Sequence, residues 1–102
     1  MEKIQKIKFI VEKLEIDSAY EFFSKKTNPP YAVYYIDDYR NFSADGIVYF
    51  TTPIINIGLY TKKKDLSLEI KLEQLLTEEG FYFSKETEFL DEEKIYITTY
   101  TI

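Results

Sequence analysis

Hydrophobic positions recur along this chain with two different periods. Ile4, Ile7, Ile10, Val11 and Leu14 return every three or four residues, and Lys3, Lys6, Lys8, Glu12, Lys13 and Glu15 fill much of the other face. That spacing predicts a solvent-facing amphipathic helix over residues 2–15, with Phe9 widening its apolar stripe. Leu68, Leu72, Leu75 and Leu76 form a second stripe with helical period, with Leu66 and Ile70 on its margins. Asp65 is placed to cap the start of this helix, and Gly80 to take the left-handed conformation at its end.

Between the two helices the period changes. Residues 31–37 are apolar on both faces and predict a central strand, covered on both sides or covered on one by a partner subunit. Residues 47–51 predict a returning strand. Ile55, Ile57 and Leu59 alternate with Asn56, Gly58 and Tyr60, the pattern of a half-buried strand. Thr52-Pro53 is expected to separate the last two as a turn, since proline cannot donate to a central ladder. Residues 38–46, with Asp45-Gly46, read as a long hairpin loop. The aromatic segment 19–23 reads as a short strand after the Asp17-Ser18 break, and Asn28-Pro29-Pro30 as a stop. Residues 81–85 and 95–101 complete the strands, on either side of an acidic turn over 86–93. The expectation is an α+β fold in one domain over residues 1–102. It has two helices on a mostly antiparallel sheet of four to six strands, in the order α-β-β-β-β-α-β-β.

Composition narrows the chemistry. The chain has 102 residues, 45% hydrophobic and 18% aromatic, which fits one folded domain with one core. Its 18 acidic and 13 basic residues give a net charge of −5, which opposes non-specific binding to nucleic acid or to anionic membrane. There is no cysteine and no histidine, so thiolate sites and the commonest general base and metal ligand are missing. The charged N-terminal segment lacks the apolar run of a signal peptide, and no run approaches the roughly 20 residues of a membrane span. An intracellular place of folding is expected.

Three clusters invite chemical readings. Asp37, Asp38, Asn41 and Asp45 offer oxygen ligands for a hard cation, but their spacing matches no EF-hand loop and lacks its closing glutamate, and turn geometry explains them. Tyr31, Tyr34, Tyr35, Tyr39, Phe42, Tyr49 and Phe50 could stack bases, yet only Arg40 supplies a cation within that segment. A sheet core with a protein–protein face accounts for them better, since tyrosine is enriched at interfaces. Glu86, Glu88, Asp91, Glu92 and Glu93 could pair as catalytic carboxylates, but a polar turn would not split their pKa values. No cofactor, no metal and no enzymatic activity are expected. The expected contact residues are Tyr39, Arg40 and Phe42 on the hairpin, with Lys62, Lys63 and Lys64 before the second helix.

The order of residues carries one further signal. Pro30-Tyr31-Ala32-Val33-Tyr34-Tyr35 is followed by Asn41-Phe42-Ser43-Ala44-Asp45, then Val48-Tyr49, Ile57-Gly58-Leu59-Tyr60-Thr61 and Lys63-Lys64-Asp65. This block resembles the tail terminators of long-tailed bacteriophages and prophages, small tail-completion proteins that join tail to head. The resemblance covers about two thirds of the chain, and the first 28 residues match only in kind. It departs from the family at Thr51-Thr52-Pro53. It implies an α+β domain that assembles as a hexameric ring, capping the tail tube in the virion after assembly in the bacterial cytoplasm. The implied partners are other copies of the chain, the major tail tube protein and the head–tail connector, with no membrane and no sequence-specific nucleic acid. Two other readings stay open: a head-completion or connector adaptor, and a small regulatory module that binds one partner without forming a ring.

Overall fold

The elements of the computed structural model follow the order α1 (Lys3–Glu12), β1 (Asp17–Tyr20), β2 (Tyr31–Ala44), β3 (Ile47–Thr61), α2 (Leu66–Glu78), β4 (Ser84–Leu90) and β5 (Ile95–Thr101). The structure describes the backbone of residues 2–44 and 47–102, and the side chains of residues 2–41 and 51–102. The five strands form one sheet in the order β1-β2-β3-β5-β4. Only β1 runs parallel to its neighbour, and the other pairs are antiparallel. This is the expected α+β fold, with two helices and a strand count inside the expected range.

Both helices lie on one face of the sheet. Ile7, Ile10, Val11 and Leu14 of the first helical segment share one buried cluster with Leu72 and Leu76 of α2. From the sheet, Ala32, Tyr34, Ile55, Ile57, Leu59 and Tyr100 enter the same cluster. Their positions alternate along β2, β3 and β5, as a pleated sheet with one face packed on helices requires. α2 begins as its sequence predicts: the Asp65 carboxylate accepts from the Leu68 amide at 3.1 Å. Gly80 has φ +79°, and the Phe81 and Gly80 amides donate to the Leu76 and Thr77 carbonyls. That pair of bonds is a Schellman termination, and it turns Phe81 back onto the core.

Several boundaries differ from the sequence reading. Within the expected loop over 38–46, residues 38–44 are paired strand, and Asp45 and Gly46 lie outside the described residues: β2 and β3 pair from Tyr31–Tyr60 out to Ala44–Ile47, with irregularities at Ile36/Asp38 and Phe42/Ser43. Turn-forming Asp37 marks a bulge there, not the end of the strand. The expected turn at Thr52-Pro53 is absent as well, so the two expected strands are one and the order is α-β-β-β-α-β-β. Ile55 exchanges hydrogen bonds with Ile102 on the β5 side. Pro53, two residues earlier, therefore also turns its polar groups away from β2, where the ladder asks no donor of it. The last strand pair shifts too: β4 starts at Ser84, and Glu86 and Glu88 are strand residues rather than turn residues. The aromatic segment 19–23 contributes to a strand only as far as Tyr20. β2 is covered by helices on one face, not on two.

The long hairpin leaves the sheet. β1 pairs with β2 only up to Tyr34, and β5 reaches β3 only from Asn56, with Ile102 bonding Ile55. Beyond that line β2 and β3 run on as a two-stranded arm. The molecule measures 49 × 28 × 24 Å, with a radius of gyration of 14.9 Å. A compact chain of this length would have a radius near 13 Å.

Candidate interaction surface

Among the described residues, no helix covers the other face of the sheet. The register places Tyr31, Val33 and Tyr35 of β2 there, beside Tyr60, Gly58 and Asn56 of β3 and then Ile97, Thr99 and Thr101 of β5. Tyr31 and Tyr60 are directly paired, and their rings stack at 4.6 Å with 17° between planes. Phe23 from the loop after β1 meets Tyr31 edge-on at 5.2 Å. Gly58 makes room for this packing: a Cβ there would stand 3.1 Å from Cε1 of Tyr60. Asn56 is the polar centre of the face. It donates to the Tyr35 hydroxyl at 3.1 Å and accepts from the Thr101 hydroxyl at 2.8 Å, linking three strands.

The loop between β1 and β2 rises over one end of this face and encloses a groove of about 590 Å³. Tyr31, Tyr60 and Ile95 lie in its lining, with Lys25, Lys26 and Glu93 among the charged residues around it. Burial, then the nearby Glu93 carboxylate, raises the Tyr31 hydroxyl above the ordinary tyrosine value. Tyr60 is raised in the same direction, first by burial and then by Tyr31, Tyr35, Glu93 and Glu88. Both groove tyrosines therefore stay neutral donors at physiological pH.

The helical face holds a different polar cluster. Glu69 is 2% exposed, yet it is a carboxylate on α2. Lys64 reaches it at 2.8 Å and Lys85 of β4 at 2.8 Å. Lys85 also pairs with Glu73 at 2.8 Å, and the Tyr100 hydroxyl donates to Glu73 at 2.7 Å. Burial pushes the Glu69 carboxyl upward, but its bonds to Lys64 and Lys85 outweigh this and hold it below the ordinary carboxylate value. Glu73 behaves alike, with Lys85 and Tyr100 overcoming burial. Burial, then Glu73, drives the Tyr100 hydroxyl strongly upward. Every group is partnered, and the cluster pins α2 to β4 and β5.

The expected contact residues fall in two places. Tyr39 and Arg40 are exposed on the arm, Tyr39 at 55%. The Phe42 side chain, with Asp45, Gly46, Tyr49 and Phe50 of the clusters considered above, lies outside the described residues. Lys62 and Lys63 are exposed in the turn between β3 and α2. Lys64 is committed to Glu69 within the chain. That lysine turn and the acidic turn after β4 lie at the same end of the sheet, because Thr61 pairs with Tyr96. Asp37, Asp38 and Asn41 occupy the base of the arm. Among the described residues, no group of three or more His, Cys, Asp or Glu is placed to hold a metal ion.

Sequence reasoning missed the Tyr31–Tyr60 stack and the Asn56 bridge as a surface. The signal was present in the alternation of Asn56, Gly58 and Tyr60 opposite the core positions. The buried Glu69 also had a signal, since it stands at helical spacing with Leu72 and Leu76. No protein-family model matches the chain, and no curated protein matches it significantly.

Proposed function

We propose that the chain is a structural protein of a bacteriophage or prophage tail, which caps the tail tube and joins it to the head as a ring of copies. The observation that best supports this is the arm. It extends beyond the rest of the sheet, outside the helix-covered core, and exposes Tyr39 and Arg40. Aromatic and arginine side chains dominate contact energetics at protein interfaces. A ribbon whose described side chains from Asp37 to Asn41 are exposed is suited to bury them against a partner.

Among the residues that carry the resemblance, Tyr31–Tyr35 and Asn41–Ala44 lie on β2, Val48-Tyr49 and Ile57–Thr61 lie on β3, and Lys63-Lys64-Asp65 lead into α2. The partners under this reading are other copies of the chain, the tail tube protein and the head–tail connector, and the place of action is the virion. A structural role asks no reaction of the chain. Deleting the chain from its phage or prophage should give filled heads and separate tails, or tails of uncontrolled length, with joining restored when it is supplied in trans. Normal infectious particles in its absence would overturn the proposal.

A further inference from the structure

The arm and the groove lie at opposite ends of the molecule. The groove is built on Tyr31, Tyr60 and Ile95, at the start of β2, the end of β3 and the start of β5. The arm leaves from the other ends of β2 and β3. At about 3.3 Å per residue, Tyr31 and Asp38 are separated by roughly 20 Å along β2 before the arm begins. A chain therefore cannot seat its own arm in its own groove, but it can seat its neighbour's.

The backbone edges of the arm are closed at its base. Tyr39 and Pro53 are directly paired, and both turn their polar groups outward. The outward Tyr39 amide donates to its neighbour Asp38 at 2.7 Å. Pro53 has no amide hydrogen, and Lys3 Nζ donates to its carbonyl at 2.8 Å. Strand addition there finds no free amide on either edge and an occupied carbonyl at Pro53, so the arm has chiefly its faces to offer. One face carries Asp38 and Arg40, with Asp37 in the adjoining bulge. The groove presents charges of both signs, Lys25 and Lys26 together with Glu21 and Glu93. None of these seven charged side chains forms an ion pair among the described residues.

We infer that the arm of one copy docks by its face in the open-sheet groove of the next, with Arg40 against Glu93 and Asp37 and Asp38 toward Lys25 and Lys26. The occupant is a second copy of this chain. Such a contact joins two different patches, so repetition gives a closed ring where the rotation permits and a filament where it does not. The inference rests on the ring-forming reading and specifies the contact that builds the ring.

The chain has no cysteine, so a chain carrying Arg40→Cys and Glu93→Cys together places thiols only at the arm and the groove. Treated with a short bismaleimide, in solution or assembled on tail tubes, it should give a covalent ladder that ends at the ring size. Each single variant should stop at dimers. As a second readout, Arg40→Glu should weaken association at least tenfold, and Glu93→Arg in the same chain should restore it. Rings that form without this ladder and ignore the charge reversal would overturn arm-in-groove docking and leave the ring reading standing. So would a groove thiol that links only to another tail protein. A chain that stays monomeric both in solution and on tail tubes would overturn both.

Discussion

Pro53 stands opposite Tyr39 at the base of the arm, and this pair leaves no free amide on either edge there. Proline removes a donor from one edge, Lys3 occupies that edge's acceptor, and Asp38 occupies the Tyr39 donor on the other. Exposed uncharged strand edges invite pairing with other chains, and natural sheets guard them with proline and charge. Burial, then the Arg40 guanidinium, lowers the Lys3 ammonium from the ordinary lysine value. Pro53→Thr combined with Lys3→Ala should open the β3 edge while leaving the helix-covered core in place. Light scattering on the purified variant should show irregular aggregation at concentrations where the parent stays clear. A variant as clear as the parent would mean that these two residues do not guard the edge.

The core makes a second prediction. Leu72 is fully buried between α2 and the strand that carries Ile55, Ile57 and Leu59. Leu72→Ala should cost about 2–5 kcal/mol, the range for removing a leucine side chain from a packed interior. Denaturant unfolding checks this, and an unchanged midpoint would mean that α2 does not pack on this sheet.

A smaller cost is expected at the end of the same helix. Gly80 holds φ +79° with open space where a Cβ would stand. Gly80→Ala should therefore destabilise by about 1–2 kcal/mol through backbone strain alone. A larger loss would point to a side-chain clash that this geometry does not contain.

The Glu69 cluster sets the pH dependence of stability. Glu69 and Glu73 are held below the ordinary carboxylate value of 4.5, so the folded state favours their charged forms. Their contribution is complete above that value and is lost as pH falls through the lowered folded-state values. Tyr100 is raised above 10.0, so its contribution is complete below that value and declines as pH rises past it. The melting temperature should therefore hold across neutral pH and fall at both limits. Replacing Lys64 and Lys85 together with methionine strands the Glu69 carboxylate, at a cost of about 3–5 kcal/mol. Adding Glu69→Gln should recover much of that loss. If it recovers nothing, the lysines act through packing and not through charge.

Legibility in the sequence followed the strength of local signals. α2 could be read almost to the residue, because Asp65 and Gly80 mark its ends and the leucines between them keep one period. The core face of β3 could be read from Ile55, Ile57 and Leu59. The arm could not, because Asp37, Asp38, Asn41 and Pro53 are turn-formers by local preference, and cross-strand pairing overrides that preference. Pro53 is tolerated because its polar groups turn away from β2, a fact of register that a linear pattern does not display. The acid-rich β4 looked like a turn because its lysine and glutamates face α2 and solvent rather than a core. Tyr39 and Arg40 could be picked out as surface candidates from their polar setting. The groove could not, since it joins a loop, the start of β2, the end of β3 and the start of β5.

The central claim is that copies of this chain close a ring on the end of a tail tube. Electron microscopy of purified tail tubes, with and without the purified protein, tests this most directly. The account predicts a ring of density at one end of each tube, made of several copies, together with an end to further tube growth. Tubes that keep growing with bare ends, alongside a chain that sediments as a monomer, would contradict it.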